Sequence, residues 1–480
     1  MNNSKPLPSF GLALAPIAVM FALLAIGYGV LGLRIEVLLL ISATFTACIA
    51  WKMGYNWDDI INAIVEKLAK TMPVILILVS VGGLIASWMI SGTIPYMVYW
   101  GLKVISAEYI LIAAFFVTSV ASVCTGTSWG SAGTVGVALM GVAAGLDVSL
   151  AAAGAVVSGA YFGDKISPLS DSTNFAPVVS GTTLYEHIQH MLYTTLPGFV
   201  IASVVFFFAG QSADISTVGE PEKVTQILAG LDSLYNFNIL LIIPPVMILW
   251  GALTKKPVLP LMLGASALAI VLGMVLQGFQ AYVDGFNVAL FEAKGAAIDG
   301  LIPDVSKLLN RGGLFSMMST ILLVFCAFSF AGVLSLTGAL NVVLGRFLHM
   351  IHSTGQLIAS TVIATITVVF TTSDGKLALL IPGELFQNAY RKMGLDTKNL
   401  SRTIEDAGTI IEPLVPWTAA GIYMASTLGV ATLDYLPWAI QCYTGVVFAL
   451  IYGFTGFGIA PAKPEQSEDS AETSLAHSIK

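Results

Sequence analysis

The sequence predicts an all-α polytopic membrane protein built from inverted-topology repeats, with broken helices and re-entrant hairpins. Three observations carry this. The 480-residue chain is 56% apolar and only 10% charged, with a mean hydropathy of +0.86, whereas a soluble chain carries about 25% charged residues. Apolar stretches of about 20 residues, the length that crosses the hydrocarbon core as a helix, recur along the whole chain. Two polar motifs also recur at one offset of 245 residues: Thr127-Ser128-Trp129-Gly130-Ser131 with Thr372-Ser373-Asp374-Gly375-Lys376, and Gly163, Pro168 and Leu169 with Gly408, Pro413 and Leu414.

The apolar run from Gly11 to Leu33 is too long for a cleaved leader and reads as the first span; 35–51 is the second. Tyr55 to Lys70 is amphipathic and basic, the pattern of a helix lying at the interface. The spans 72–92, 109–125, 127–144, 149–163 and 194–210 follow, then 237–253 and 257–277. The second half contributes 315–335, 355–371, 375–388, 412–431 and 433–457. Gly, Pro and polar residues interrupt several of these, which makes them half-helices or re-entrant segments, because irregular backbone survives at membrane depth only where protein or water satisfies it. The tail after Ala460 is polar and free of aromatics, a composition that predicts disorder. The chain thus divides into N-terminal spans and an interfacial helix (1–70), a first repeat (71–210), a linking region with two spans and an outer segment (211–312), a second repeat (313–457) and a tail (458–480).

Lysine and arginine in short loops set the orientation. Lys52, Lys67 and Lys70 place the loop after the second span, and with it the N-terminus, in the cytoplasm. The acidic loop 211–236 faces outward, Lys255 and Lys256 inward, 278–310 outward, and Arg391, Lys392, Lys398 and Arg402 inward. The first repeat then starts near Thr71 on the cytoplasmic side and the second near Gly313 on the outer side. Copies that enter from opposite faces are inverted repeats, an architecture that puts a binding site near the midplane between broken helices.

The net charge of −7 excludes little beyond nucleic acid. Much of it lies in Asp214, Glu220, Glu222 and Asp232 of the acidic loop and Glu465, Glu468, Asp469 and Glu472 of the tail, and no basic surface is present. Cys48, Cys124, Cys326 and Cys442 sit in apolar segments and read as buried free thiols, without metal spacing. The pairs His187/His190 and His349/His352 share helix faces at i, i+3, beside span ends and with no acidic partner at ligand spacing. The sequence therefore supports neither an intramembrane metalloenzyme nor a bound cofactor. A passive channel is the other alternative; charged broken helices in inverted repeats favour alternating access over a pore.

The densest polar cluster is Gly163-Asp164-Lys165-Ile166-Ser167-Pro168-Leu169-Ser170-Asp171-Ser172-Thr173-Asn174, directly after an apolar helix. Carboxylates, hydroxyls, an amide and prolines make a poor helix and a good oxygen cage for a hard cation. A charge at bilayer depth costs about 2.5–3.5 kcal/mol on insertion scales. A second stretch, Ile404-Glu405-Asp406-Ala407-Gly408-Thr409-Ile410-Ile411-Glu412-Pro413-Leu414-Val415-Pro416-Trp417-Thr418, repeats the pattern of acids, hydroxyls and prolines, so a functional reason is needed twice.

The Gly163–Asn174 motif resembles the signature of the NhaC family of sodium/proton antiporters. Asn399-Leu400-Ser401-Arg402 before Glu405-Asp406-Ala407-Gly408-Thr409, and Pro416-Trp417 before Met424-Ala425-Ser426-Thr427-Leu428-Gly429-Val430, resemble it too. The resemblance implies a multi-pass carrier of a prokaryotic inner membrane with inverted repeats, both termini cytoplasmic and a homodimeric assembly. It implies sodium and protons as the ions moved. The family also includes a malate/lactate exchanger and members thought to move amino acids. The chain departs from the family pattern at Thr418 and Ala419, where a polar pair is frequent, and at Ser373-Asp374-Gly375-Lys376, which brings two charges into a helix break.

On this reading Asp164 and Asp171 bind sodium when ionised and protons when not. Thr127, Ser128, Ser170, Thr173 and Asn174 supply neutral oxygens. Asp406, Thr409 and Glu412 do likewise from the second repeat, or relay the proton. Lys165, Asp374, Lys376 and Arg402 are counter-ions or a clamp for a carboxylate substrate. In the second case the chain is a sodium- or proton-coupled carrier of an organic acid or amino acid. Trp129 and Trp417, beside the breaks, read as packing or interfacial anchors, with a cation-π contact as the alternative that places Trp417 among the substrate or charge-pairing residues.

Overall fold

The structure, a computed structural model, describes residues 5–212, 221–254, 256–279, 313–349 and 351–462. Asp214, Glu220, Lys255, Lys294, Lys307, Arg311 and the acidic tail lie outside the described residues, and with them the expectations of an outer segment and a disordered tail. Apart from one isolated bridge between Leu395 and Pro461, every regular element among the described residues is helical. Seven of these helices are long and apolar enough to cross a bilayer, or up to nine if each of two sharply bent pairs counts as one span.

Helix α1 (Phe10–Ala22), continued by a π turn over Leu23–Tyr28, and α2 (Ile35–Lys52) lead into α3 (Trp57–Ile90). Asn56 caps α3 by accepting from the Asp59 N–H at 2.8 Å, and the Asp59 carboxylate accepts from the Asn56 N–H at 2.9 Å. The stretch 55–70 is therefore no separate interfacial helix. It is the first part of a 34-residue helix, roughly 50 Å long at 1.5 Å per residue and longer than the ~30 Å core. A boundary at residue 70 cuts through it, and Lys67 belongs to the helix rather than to a loop.

Helix α4 (Thr93–Val104) precedes α5 (Ile110–Thr125). Gly126, at φ 68°, turns the chain in the left-handed region, and a Cβ there would strike the Leu169 backbone. After α6 (Ser128–Ser131) and a π turn over Ala132–Gly136, α7 (Val137–Gly145) returns to pack on α4. The result is a hairpin with its tip at Gly126-Thr127. Helix α8 (Ser149–Ile166) lies closely along α5 because Gly159 and Gly163 rest on the backbone of Phe115 and Val123, the small-residue contact typical of membrane helices. A break at Ser167–Ser170 leads to α9 (Asp171–Ser180) and then α10 (Leu184–Gly210).

Helices α11 (Pro221–Leu234), α12 (Ile243–Leu253) and α13 (Val258–Gln277) link the halves. The plan then recurs: α14 (Met318–Thr337), α15 (Ala339–Leu348), α16 (Thr354–Thr372), α17 (Gly375–Lys392), α18 (Thr397–Ala407), a broken stretch with one 3-10 turn at Glu412–Leu414, α19 (Ala419–Leu428), α20 (Thr432–Tyr435) and α21 (Ile440–Thr455). The expected span 412–431 is thus α-helical only in its second part.

Left-handed residues punctuate both halves alike: Gly92 and Gly338 before α4 and α15, Gly126 and Ser373 after α5 and α16, Gly181 and Gly429 after the ten-residue helices α9 and α19. The offsets are 246, 247 and 248 residues, not a constant 245. Thr127 therefore corresponds to Asp374, and Ser170 to Thr418; each is a helix N-cap. Helix ends are set by caps and turns, so a register read from shared Thr, Gly and Pro slips wherever connections differ in length. Cys326 and Cys442 are buried as expected, whereas Cys48 and Cys124 face outward from α2 and α5, an orientation that suits lipid.

Candidate functional site

Asp164 ends the polar side of α8, one turn before the break. Ser128, the first residue of α6, donates its hydroxyl to Oδ2 at 2.8 Å, and Ser170, the N-cap of α9, donates to Oδ1 at 2.7 Å. Thr173 donates to the Asp164 carbonyl at 2.6 Å, and the Ser170 and Ser172 hydroxyls lie 3.1 Å apart. The hairpin tip and the helix break therefore meet at one carboxylate. Two helix N-termini flank it, an arrangement that suits an anion. Asp164 makes no ion pair among the described residues, since Lys165 points elsewhere.

Several predicted ligands do not join this cradle. Asp171 is 89% exposed, 3.7 Å from the likewise exposed Lys376. As the first residue of α9 it follows the cap outward and makes no hydrogen bond in the Asp164 cradle, although it stands near enough for its charge to act on Asp164. Asn174 is exposed and spends its amide on the Pro168 and Ser170 carbonyls at 2.8 and 2.6 Å, closing the turn. Thr127 caps α6 through the Gly130 N–H at 3.2 Å.

The second half of the chain builds its own polar knot. Asp374 caps α17 by accepting from the Lys376 and Leu377 N–H groups at 2.9 and 3.2 Å, and Lys67 of α3 reaches it at 3.9 Å. Glu412 faces the backbone N–H groups of Gly375 and Ala420 and is close enough to Asp164 and Asp374 for their charges to interact. Thr418 caps α19 and donates to the Glu412 carbonyl at 2.6 Å. Thr409 donates its hydroxyl to the fully buried Glu405 at 2.8 Å.

Deeper among α8, α10, α18 and α21, Lys165 donates to Asp406; both are wholly buried, and Thr194 adds a bond to Asp406 at 3.1 Å. Asp406 is thus paired with lysine through Oδ1 while its Oδ2 has no hydrogen-bond partner, and Lys165 is its counter-ion rather than a free clamp. Buried Arg402 donates to the Gly458 carbonyl at 2.9 Å and lies over Tyr452. Trp417 packs against Phe370 and donates to its carbonyl at 2.9 Å. His187 and His190, expected at an interface, are buried instead, 2.7 Å from the Ser401 hydroxyl and 3.0 Å from Asn399 Oδ1. No three His, Cys, Asp or Glu side chains among the described residues are placed to hold a metal ion.

Trp129 stacks on Tyr423 of α19, with centroids 4.3 Å apart and planes at 10°. The Tyr423 hydroxyl donates to the Trp129 carbonyl at 2.8 Å. A cavity of about 220 Å³ is lined by Met89, Met140, Met317, Thr320 and Ser426.

A family profile described as the Na+/H+ antiporter family matches residues 159–457. The chain belongs to the Na+/H+ antiporter family. This antiporter-family chain is 52% identical over 458 residues to an uncharacterized Na+/H+ antiporter of Haemophilus influenzae, covering 94% of the chain and 97% of the relative. It is 36% identical to the Na+/H+ antiporter NhaC of Alkalihalophilus pseudofirmus, over 94% and 96% of the two chains. It is 33% identical to the malate-2H+/Na+-lactate antiporter of Bacillus subtilis, over 89% and 90%. Antiporters are transporters, not enzymes, and the spans and helix breaks described above suit such a family. Sequence reasoning does not find Lys67, Thr194 or Tyr423 as site residues, and Glu405 enters it only as part of a motif. For Lys67 the one available signal is a lysine followed soon by an apolar run; it reads equally well as an interfacial anchor.

Proposed function

We propose that this chain is a secondary active transporter that exchanges sodium for protons by alternating access, with Asp164 as the group both ions share. The observation that carries this reading is the Asp164 cradle, a single carboxylate with the Ser128 and Ser170 hydroxyls on its two oxygens. Sodium is a hard cation that takes oxygen ligands. A serine hydroxyl both donates and accepts, so each can rotate from the carboxylate and turn a lone pair to the ion. A proton neutralises the same carboxylate, and loading one ion excludes the other. The apparent sodium affinity therefore falls about tenfold per pH unit once the protonated form dominates.

Alternating access draws support from the unlike ends of the site. We read the Trp129–Tyr423 stack as the closed end and the exposed Asp171 and Lys376 as the open one. Recurrence of hairpin, break and caps supports two repeats. The lysines and arginines at Lys52, Arg391 and Lys392 orient them oppositely in a prokaryotic inner membrane, with both termini cytoplasmic.

Proteoliposomes test the exchange. A sodium gradient moves protons with no organic solute present, and Asp164→Asn abolishes that flux in a protein that still inserts and purifies normally. Proton flux that begins only when a dicarboxylate or amino acid is added would make the chain a coupled organic-solute carrier, as its malate and lactate relative is named.

A further inference from the structure

The two repeats place corresponding carboxylates at corresponding positions, yet surround them differently. At Asp164 the partners are hydroxyls, Ser128 and Ser170. With the 247-residue offset at the hairpin tip, the counterpart of Ser128 is Gly375; with the 248-residue offset at the break, that of Asp164 is Glu412. Glu412 meets backbone N–H groups, which only donate, and an added carboxylate, Asp374, stands where the first repeat has Thr127. Two neighbouring anions at the second tip call for a cation, and the fold brings one. Lys67 Nζ lies 3.9 Å from Asp374 Oδ2, with its side chain only 11% exposed and its ammonium 5.7 Å from the Phe328 ring. Burying an ammonium is costly unless a charge partner holds it.

The source of that lysine is informative. With the 246-residue offset between Gly92 and Gly338, Lys67 corresponds to Gly313, just before the 3-10 turn that leads into α14. Helix α3 is 34 residues long and α14 only 20. The extra N-terminal length of α3 delivers a lysine to the tip of the opposite repeat.

We propose that Lys67 is a tethered cation occupying the second repeat's counterpart of the Asp164 site, so that the protein takes up one alkali ion per chain, at Asp164. The place beside Asp374 and Glu412 is a latent sodium site in which the Asp374 charge is already met by the protein's own ammonium. The proposal rests on Asp164 being the sodium site, and its test separates the two ideas.

Equilibrium binding of radioactive sodium to the purified full-length protein in detergent, at alkaline pH where protons compete least, reads the stoichiometry directly. The wild type binds one sodium per chain. Lys67→Met binds two, and Lys67→Arg, which keeps a charge in place, binds one. Two sodium ions on the wild type, or a monodisperse Lys67→Met that still binds one with unchanged affinity, overturns the proposal. If Lys67→Met cannot be purified, Lys67→Gln replaces it, and the wild-type count alone retains the power to refute. Asp164→Asn isolates the underlying reading: a wild-type sodium count in that variant rejects Asp164 as the site. The difference in stoichiometry between the wild type and Lys67→Met judges the tethered cation.

Discussion

Asp164 and Asp171 stand in one motif, and by residue type both are equally good sodium ligands. What separates them is the geometry of a helix break. Asp164 faces inward from the last turn of α8 and meets two serines; Asp171 starts the next helix and is 89% exposed. Sequence reasoning located the motif, and Ser128 and Ser170 with it, because hydroxyls next to acids in apolar surroundings have few other uses. It could not rank the acids, since that depends on where a four-residue break points each side chain. Two outcomes follow in proteoliposomes. Asp171→Asn retains sodium/proton exchange, whereas Ser128→Ala weakens sodium binding by about tenfold, the loss expected of one ligand worth ~1.4 kcal/mol. A sodium Kd unchanged in Ser128→Ala would remove the hydroxyl from the ion's shell.

Helix breaks were legible because Gly and Pro mark them, and caps because Ser, Thr and Asp precede the helices they start. Two element-scale features were not. The polar start of α3 reads as a separate helix since nothing in its composition says that it continues without a break into the apolar part. Shared residue types recur at 245 residues whereas left-handed residues recur at 246 to 248, because the connections between helices differ in length. The structure pairs Gly126 with Ser373, both left-handed, and this pairing makes an asymmetric prediction. A non-glycine residue in that region costs roughly 1 kcal/mol, so Ser373→Gly raises the thermal midpoint of the detergent-solubilised protein by about 1 °C, given the unfolding entropy of a chain this long. Gly126→Ser lowers it and impairs transport, because its new Cβ also meets the Leu169 backbone. Equal effects of the two changes on the unfolding midpoint would mean that the tips are not structurally equivalent.

At the scale of the whole molecule, the fold class was legible from apolar runs and loop charges, but the closure of one end was not. Trp129 and Tyr423 lie 294 residues apart, and only the approach of α6 to α19 makes them a stack. If that stack is the barrier between the Asp164 cradle and the cavity at Ser426, the exposed Asp171 marks the other end of the path. If the repeats are inverted, these two ends open to different sides of the membrane. In a background with the four native cysteines replaced, Asp171→Cys then reacts with a membrane-impermeant maleimide in inside-out vesicles and stays silent in right-side-out ones. Ser426→Cys does the reverse, slowly, because its side chain is only partly exposed. Adding Tyr423→Ala removes the ring and its bond to the Trp129 carbonyl, so Asp164 gains a second route to water. Sodium/proton exchange in that variant is replaced by leak, seen as proton flux that no longer needs sodium. Labelling of both cysteines from one face would deny the opposed orientation of the repeats, and tight coupling in Tyr423→Ala would show that the barrier lies elsewhere along the path.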